Sequence, residues 1–253
     1  MKLVRDTALM TWRSLLHQLR NPVWLFVGVS TPLLYLALFA PLLKHVTVLA
    51  GLGHANVLDG FLPGILSLVA FSSGVSQGFT TIFELRAGVV ERFRVTPASR
   101  LAILLAPILA SMLMMFVFDA LLVAVGAAFG FSVHWLGLAV LGVLLGLLMT
   151  VMSAFSIATA LITKEISSFA AIVNGINLPI LLLAGVLLPV SIGPQWMRII
   201  AHFNPLYYLV EGSRVLASGS FSGPHVWQAF AVLVPLCALV LAWATRVFRT
   251  AVS

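Results

Sequence analysis

Long apolar runs separated by short polar segments dominate the hydropathy pattern of this chain. A spanning helix needs about 20 mostly apolar residues, and six runs meet that length: residues 23–43, 61–83, 101–125, 135–161, 169–190 and 226–245. None of these runs alternates apolar and polar positions as the strands of a membrane barrel do. The pattern therefore predicts an all-α membrane protein with six transmembrane helices.

Residues 1–21, ahead of the first run, carry an amphipathic pattern of helical period. Apolar positions lie on one face, and at about 100° per residue five polar positions fall within an arc of about 60°; these are Lys2, Asp6, Arg13, His17 and Arg20. The pattern predicts a basic helix lying on the inner membrane surface. The alternative is a solvent-facing helix packed on another protein surface.

Residues 191–225, before the last run, carry two shorter amphipathic patterns. Apolar residues recur at helical spacing from Trp196 to Phe203, and Asn204-Pro205 interrupts the pattern before it resumes. Neither piece is long enough to span, so we expect two short re-entrant helices at the outer interface. Glu211 and Arg214 are three residues apart and are expected to pair across one helical turn.

The distribution of charge changes this picture in two ways. The chain has 61% hydrophobic and 8% charged residues, which is too few charges to cover a soluble domain of this length. Its net charge of +7 does not indicate a nucleic-acid partner, because the basic residues lie in patches between apolar runs. With the N-terminus in the cytoplasm, eleven Lys and Arg residues lie inside and three outside. The positive-inside rule then predicts that both termini are cytoplasmic.

No motif indicates catalysis or metal binding. Gly74-Val75-Ser76-Gln77-Gly78 has the spacing of a nucleophile elbow, but it lies inside an apolar run and lacks the strand–turn–helix context that the elbow requires. Gly74 with Gly78, and Gly142 with Gly146, are better interpreted as sites of close helix packing. The chain has no phosphate-binding loop, no HExxH and no metal-spaced Cys/His set. We expect no catalytic residue, metal or cofactor on this chain.

Polar side chains inside the runs need polar or wet neighbours, because an unsatisfied polar group in hydrocarbon is costly. They form one stripe on the second run and another on the fifth, and the candidates are Ser73, Gln77, Thr80, Asn174 and Asn177. Two interpretations stay open: these residues join helices by hydrogen bonds, or they border a substrate path. Asp119 stands alone in the third run and is expected to find a structural partner or an outer water-filled cavity.

Two stretches give the chain a family resemblance. They are "ERFRVTPASR" (residues 91–100) and "LPVSIGPQWMRIIAHFNPLYYLVEGSRVL" (residues 188–216). Together with the layout they resemble the permease subunits of type-2 ABC exporters, particularly the daunorubicin-resistance-like drug and lipid exporters. The resemblance covers nearly the whole chain, and it implies a single transmembrane domain over residues 1–253.

The resemblance also implies partners and roles. Residues 84–100 would be the cytoplasmic coupling loop that docks on a separate ATP-binding subunit, which would hold ATP and Mg; the charged residues there are Glu84, Arg86, Glu91, Arg92, Arg94 and Arg100. Residues 1–21 would be the connecting helix that touches the same subunit, with Arg5, Arg13 and Arg20. A second permease copy, identical or related, would complete the substrate path near spans two and five.

The function implied is ATP-driven export of a hydrophobic or amphiphilic compound, such as a drug, an antibiotic or a lipid-like molecule, across the cytoplasmic membrane of a bacterium. Two alternatives remain. One is a permease for a polysaccharide or glycolipid, and the other is a channel or facilitator that needs no ATP.

Overall fold

The computed structural model describes residues 2–20, 22–49, 57–88, 100–186, 190, 193–219 and 223–252. Within these ranges the chain forms nine α-helices and no strand. They are α1 (Lys2–Leu19), α2 (Pro22–Leu49), α3 (Val57–Arg86), α4 (Arg100–Ala128), α5 (Trp135–Thr163), α6 (Ile166–Leu183), α7 (Gln195–Ala201), α8 (Pro205–Ala217) and α9 (Pro224–Val252). The predicted all-α class is confirmed for this part of the chain.

Five of the described helices are long and apolar enough to cross a membrane. The candidate spans are Leu58–Arg86, Leu105–Ala128, Trp135–Thr163, Ile166–Leu183 and Pro224–Phe248. The first predicted span lies in α2, of which the described part Leu25–Phe39 qualifies only as a shorter apolar helix. The count of six spans therefore stays a prediction, while a multi-pass helical protein is established.

The fifth predicted span ends earlier than its apolar pattern indicated. Residues 169–190 were expected to form one helix, but α6 stops at Leu183 and Gly185 adopts a positive φ of 71°. That left-handed conformation ends the helix and is available to glycine at little steric cost. Hydropathy cannot detect this stop, because apolar residues continue on both sides of Gly185.

Helices α3 and α5 form the centre of the bundle, with α4, α8 and α9 packed around them. Their backbones approach closely at the first glycine pair: a Cβ atom on Gly74 would lie 2.6 Å from Met152 Cβ and 2.9 Å from Met149 O. Ser156 of α5 also bonds to α3, since its hydroxyl accepts a hydrogen bond from Gly78 N at 2.9 Å and donates one to Val75 O at 2.6 Å. Close packing is confirmed here.

The second glycine pair behaves differently. A Cβ atom on Gly142 would meet Phe116 at 3.7 Å, and one on Gly146 would meet Met112 Sδ at 3.4 Å. These are ordinary van der Waals distances to side chains rather than to a neighbouring backbone. The prediction of close helix packing at Gly142 and Gly146 is therefore wrong, because the large side chains of Met112 and Phe116 hold α4 and α5 apart there.

Candidate functional site

Helix α1 presents an amphipathic exterior but packs through polar side chains. Leu9, Trp12 and Leu19 are exposed, beside the exposed connecting-helix arginines Arg5, Arg13 and Arg20. The half-buried side chains include a polar stripe spaced i, i+4, i+7 and i+11, made of Thr7, Thr11, Ser14 and Gln18. The helix packs along α4. Apolar and basic groups thus share the outer surface of α1, as expected at a membrane interface.

A hydrogen-bonded junction ties α1, α3 and α4 together. Gln18 Nε2 on α1 donates to Ser111 Oγ on α4 at 2.8 Å, and Gln77 Nε2 on α3 donates to the same oxygen. Gln77 and Ser111 are buried. One hydroxyl therefore joins three helices in the interior. Sequence reasoning missed Ser111 and Gln18, although a lone hydroxyl in the apolar third run was a signal for a buried partner.

The five predicted path residues do not share one surface. Thr80 and Asn174 are exposed and Ser73 is half-buried, whereas Gln77 points into the junction behind them. Asn177 is half-buried, and its Oδ1 is enclosed with no hydrogen-bond partner among the described residues. For Gln77 the geometry supports the alternative in which it joins helices. Ser73, Thr80, Asn174 and Asn177 remain candidates for the path.

Helix α6 contacts the rest of the chain through a narrow stripe. Phe169 is fully buried and stacks edge-on against Phe79 of α3, with ring centroids 4.8 Å apart. In α6 only Phe169 and Val173 are buried. The remaining surface of this candidate span is open and largely apolar, and it includes the amide of Asn174.

The C-terminal end of α3 brings together two of the predicted coupling elements. Glu84 is half-buried and lies within electrostatic reach of Arg13 and His17 of α1, while Arg86 is exposed. Arg100 begins α4. Glu91, Arg92 and Arg94 lie outside the described residues, so their role in the coupling loop stays a prediction.

A second charged turn lies between α5 and α6. Glu165 accepts hydrogen bonds from Ser167 Oγ at 2.6 Å and Ser168 Oγ at 3.0 Å. These two hydroxyls, and to a smaller extent the positive charge of Arg86, lower the pKa of the Glu165 carboxyl below its usual value. The turn therefore carries a fixed negative charge close to the exposed end of α3.

At the opposite end of the bundle, Arg214 of α8 clamps three segments. Its Nη1 atom donates to Glu211 Oε1 at 2.7 Å, which confirms the predicted pair. Its Nε atom donates to Gly60 O of α3 at 3.0 Å, and its Nη2 atom donates to Gly185 O after α6 at 2.5 Å. Burial lowers the pKa of Arg214, while Glu211 opposes that change.

Asn204 fixes the start of α8 and connects it to α6. Its Oδ1 accepts from Leu206 N at 3.0 Å, the usual N-cap bond, and its Nδ2 donates to Ile180 O at 2.7 Å. The short helix α7 before it exposes Trp196 and Ile199, and Phe203 in the turn after it is exposed as well. Two short helices thus precede the last candidate span as predicted, while their re-entrance into the membrane stays a prediction.

Two further polar groups singled out in the sequence are Ser76 and Asp119. Ser76, the serine of the elbow-like motif, donates to Ser73 O at 2.8 Å within the helix. In the described part of the chain no three His, Cys, Asp or Glu residues come together as metal ligands. Asp119 is buried, and neither of its carboxylate oxygens has a hydrogen-bond partner among the described residues.

Comparison with known proteins places the chain in a family. Residues 5–217 match the family model of the ABC-2 type transporter. The chain is 29% identical over 219 residues to ycf38 of Cyanophora paradoxa, described as a transport permease, covering 86% of this chain and 76% of that protein. It is 27% identical over 246 residues to the daunorubicin resistance ABC transporter permease protein DrrB1 of Streptomyces coeruleorubidus, covering 94% of this chain and 83% of that protein. The chain therefore belongs to the ABC-2 type transporter family, as a multi-pass membrane permease component of an ABC transport system.

Proposed function

We propose that this permease is the transmembrane subunit of an ATP-driven exporter that moves a hydrophobic or amphiphilic compound outward across a cytoplasmic membrane. Members of its family normally work with an ATP-binding subunit. In the proposed pump, two permease copies pair with two such subunits, which bind ATP and Mg. The host is a bacterium, and both termini of the permease are cytoplasmic.

The observation that carries this proposal is the convergence of α1 and α3 at one end of the bundle. Glu84 lies within electrostatic reach of Arg13, and the Gln77–Ser111–Gln18 junction ties the same two helices deeper in the bundle. A docked ATPase that moves either helix would therefore move the other. The docking surface comprises Arg86, Glu91, Arg92, Arg94 and Arg100 of the coupling loop, with Arg5 and Arg20 of the connecting helix, while Glu84 and Arg13 lie behind it and join its two parts.

The second permease copy covers the open face of α6. An exposed asparagine amide within a candidate span is costly to leave in lipid, and Asn174 lies there beside a predominantly apolar surface. A partner helix or a wet path between the two copies would satisfy it. Ser73 and Thr80 of α3, with Asn174 and Asn177 of α6, would then border the path, and Gln77 would support it from behind.

The proposed cargo is an amphiphile rather than a long sugar chain. The candidate path residues offer hydroxyl and amide groups amid the exposed apolar side chains of α3 and α6, such as Phe83 and Ile176. Such a surface can hold an apolar body and a few polar substituents at once. The similarity to a daunorubicin resistance permease supports the same class of cargo.

Charge exchange in the coupling loop tests the proposal. The double variant Glu91→Arg/Arg92→Glu keeps the net charge of the loop, so insertion and attraction to lipid should be unchanged. A docked partner would meet the wrong sign at each position. We expect normal insertion, weakened binding of the ATP-binding subunit, and loss of cargo-stimulated ATP hydrolysis in reconstituted vesicles.

Vesicles that contain the permease alone provide the control. Cargo movement without nucleotide or partner would support the facilitator alternative instead. Wild-type subunit binding and hydrolysis in the double variant would show that this pair of residues does not form the coupling contact.

A further inference from the structure

A cavity of about 170 Å³ lies where α1, α3, α4, α5 and α9 converge near the inner end of the bundle. Arg13 and His17 stand at its exposed mouth on α1. Its floor is apolar and buried, and it includes Ile157, Leu161 and Phe248. The cavity therefore has a charged rim and an apolar interior.

The rim carries both signs of charge. Arg13 and His17 supply basic groups, and Glu84 supplies a carboxylate that also lines the cavity. Glu84 is half-buried, yet among the described residues it makes no hydrogen bond and no ion pair within 4 Å. A carboxylate held in this way gains from any cation that can reach it. Ser14 also lines this rim, and the Thr81 hydroxyl there, which donates to Gln77 O at 2.8 Å, can still accept a hydrogen bond.

The size of the cavity limits what can occupy it. Sites for drug-sized molecules have volumes of about 300–1,000 Å³, so a cavity of about 170 Å³ does not enclose such a molecule. It is large enough for a small charged group with a few attached carbons. The exposed Leu9, Trp12 and Leu19 on α1 set this rim at the level where aromatic and aliphatic groups meet lipid headgroups.

We propose that this cavity binds the headgroup of a zwitterionic phospholipid that carries a primary ammonium, as phosphatidylethanolamine does. The phosphate faces Arg13 and His17, and the ammonium donates hydrogen bonds to Glu84. The first carbons of the lipid contact the apolar floor. An anionic lipid without an amine offers no hydrogen-bond donor to Glu84, and a simple cation is repelled by Arg13, so neither matches the rim as well.

Lipid binding to the purified full-length chain tests the assignment. Phosphatidylethanolamine, phosphatidylcholine and phosphatidylglycerol are titrated separately into detergent-solubilised protein, and native mass spectrometry counts the bound molecules. Phosphatidylcholine is the sharp comparison, because its ammonium is methylated and cannot donate to Glu84. We expect phosphatidylethanolamine to bind about tenfold more tightly than phosphatidylcholine, equivalent to about 1.4 kcal/mol.

Variants locate the preference within the cavity. Glu84→Gln should bring the two lipids to within about threefold of each other, whereas Arg13→Gln should weaken both alike because they share the phosphate. Glu165→Gln is the matched control, since Glu165 is a carboxylate outside the cavity that the Ser167 and Ser168 hydroxyls already satisfy. It should leave the preference intact.

Three outcomes would overturn the proposal. The first is equal binding of phosphatidylethanolamine and phosphatidylcholine to the wild-type chain, a result that needs no variant to fold. The second is a preference that survives in folded Glu84→Gln protein. The third is displacement of bound lipid by soluble phosphoethanolamine at comparable concentration, which would identify a site for a free phosphoester rather than for a membrane lipid.

Discussion

Replacing Arg214 by glutamine should destabilise the end of the bundle opposite Glu84 more than any other change of one exposed or half-buried charge there. The guanidinium donates to Glu211, to Gly60 O and to Gly185 O, and so it ties α8 to α3 and to the turn after α6. Glutamine is too short to reach both carbonyls from the same backbone position. The variant should therefore lose all or most of the clamp.

The magnitude follows from how exposed each bond is. The side chain of Arg214 retains 12% of its accessible area and that of Glu211 retains 24%, so the ion pair is partly screened and contributes about 0.5–1 kcal/mol. Each bond from the guanidinium to a backbone carbonyl contributes about 1–1.5 kcal/mol. Arg214→Gln should thus lower the free energy of unfolding by about 3 kcal/mol, and Glu211→Gln by less than about 1 kcal/mol.

The assay is unfolding of the purified chain in mixed micelles, followed by far-ultraviolet circular dichroism as denaturing detergent is added. Arg198→Gln is the matched control, because Arg198 is an exposed arginine on α7, the helix just before α8. It should change the free energy of unfolding by less than about 0.5 kcal/mol. If Arg214→Gln costs no more than Glu211→Gln, the two carbonyl bonds contribute nothing measurable and the reasoning about the clamp fails.

Two further predictions concern the contacts of α3 with its neighbours. Gly78→Ala should lower the free energy of unfolding by about 1–3 kcal/mol, because the new methyl would overlap Phe169 and the hydroxyl of Ser156. The control Gly142→Ala adds a methyl where no backbone is close, so it should change the free energy of unfolding by less than about 0.5 kcal/mol. Equal effects of the two variants in the same unfolding assay would contradict this account. A double-mutant cycle of Gln77→Leu with Ser111→Ala should give a coupling of about 0.5–1.5 kcal/mol, whereas additive effects would mean that the buried bond is not formed.

Most helix bounds could be predicted from the sequence because a membrane-spanning segment must satisfy its own backbone hydrogen bonds. The fourth apolar run, residues 135–161, became Trp135–Thr163, and the third, residues 101–125, became Arg100–Ala128. In both cases the helix continues slightly beyond the apolar run, since hydropathy marks the hydrocarbon and not the last hydrogen-bonded turn. The early end of α6 needed information that hydropathy lacks, namely the positive φ of Gly185.

The direction of polar side chains was harder to predict, because it depends on a partner on another helix. Gln77 shares a helical stripe with Ser73 and Thr80 in the sequence, yet its long amide reaches Ser111 and is buried while Thr80 stays exposed. The amphipathic pattern of α1 likewise predicted a membrane-surface helix without indicating that Gln18 would bond to the interior. Helical periodicity predicts which residues share a face of a helix, but only contacts with other helices decide which of those faces is buried.

Helix α3 connects the two ends of the molecule, and this bears on how a motion could cross the bundle. At its N-terminal end Asp59 Oδ1 accepts from Ser132 N at 3.1 Å and Gly60 O accepts from Arg214. Glu84 lies 25 residues further along, about 38 Å away at the helical rise of about 1.5 Å per residue. Between these ends Gly78 is pressed against Ser156 and Phe169.

Because α3 is held at both ends and along its middle, it does not slide independently of its neighbours. Packed interfaces shift between discrete arrangements rather than deform continuously. Under the proposed function, a push on the inner end of α3 must carry α5 with it or break the outer clamp at Arg214. These alternatives differ measurably: if this end opens in each cycle, a short thiol-specific cross-linker joining cysteines placed at Gly60 and Arg214 should stop export, relative to the same variant before cross-linking, while leaving the binding of the ATP-binding subunit intact. If α3 and α5 move together while the contacts at position 214 stay closed, the same cross-link should leave export unchanged. Helix α3 would then move as a rigid body with α5.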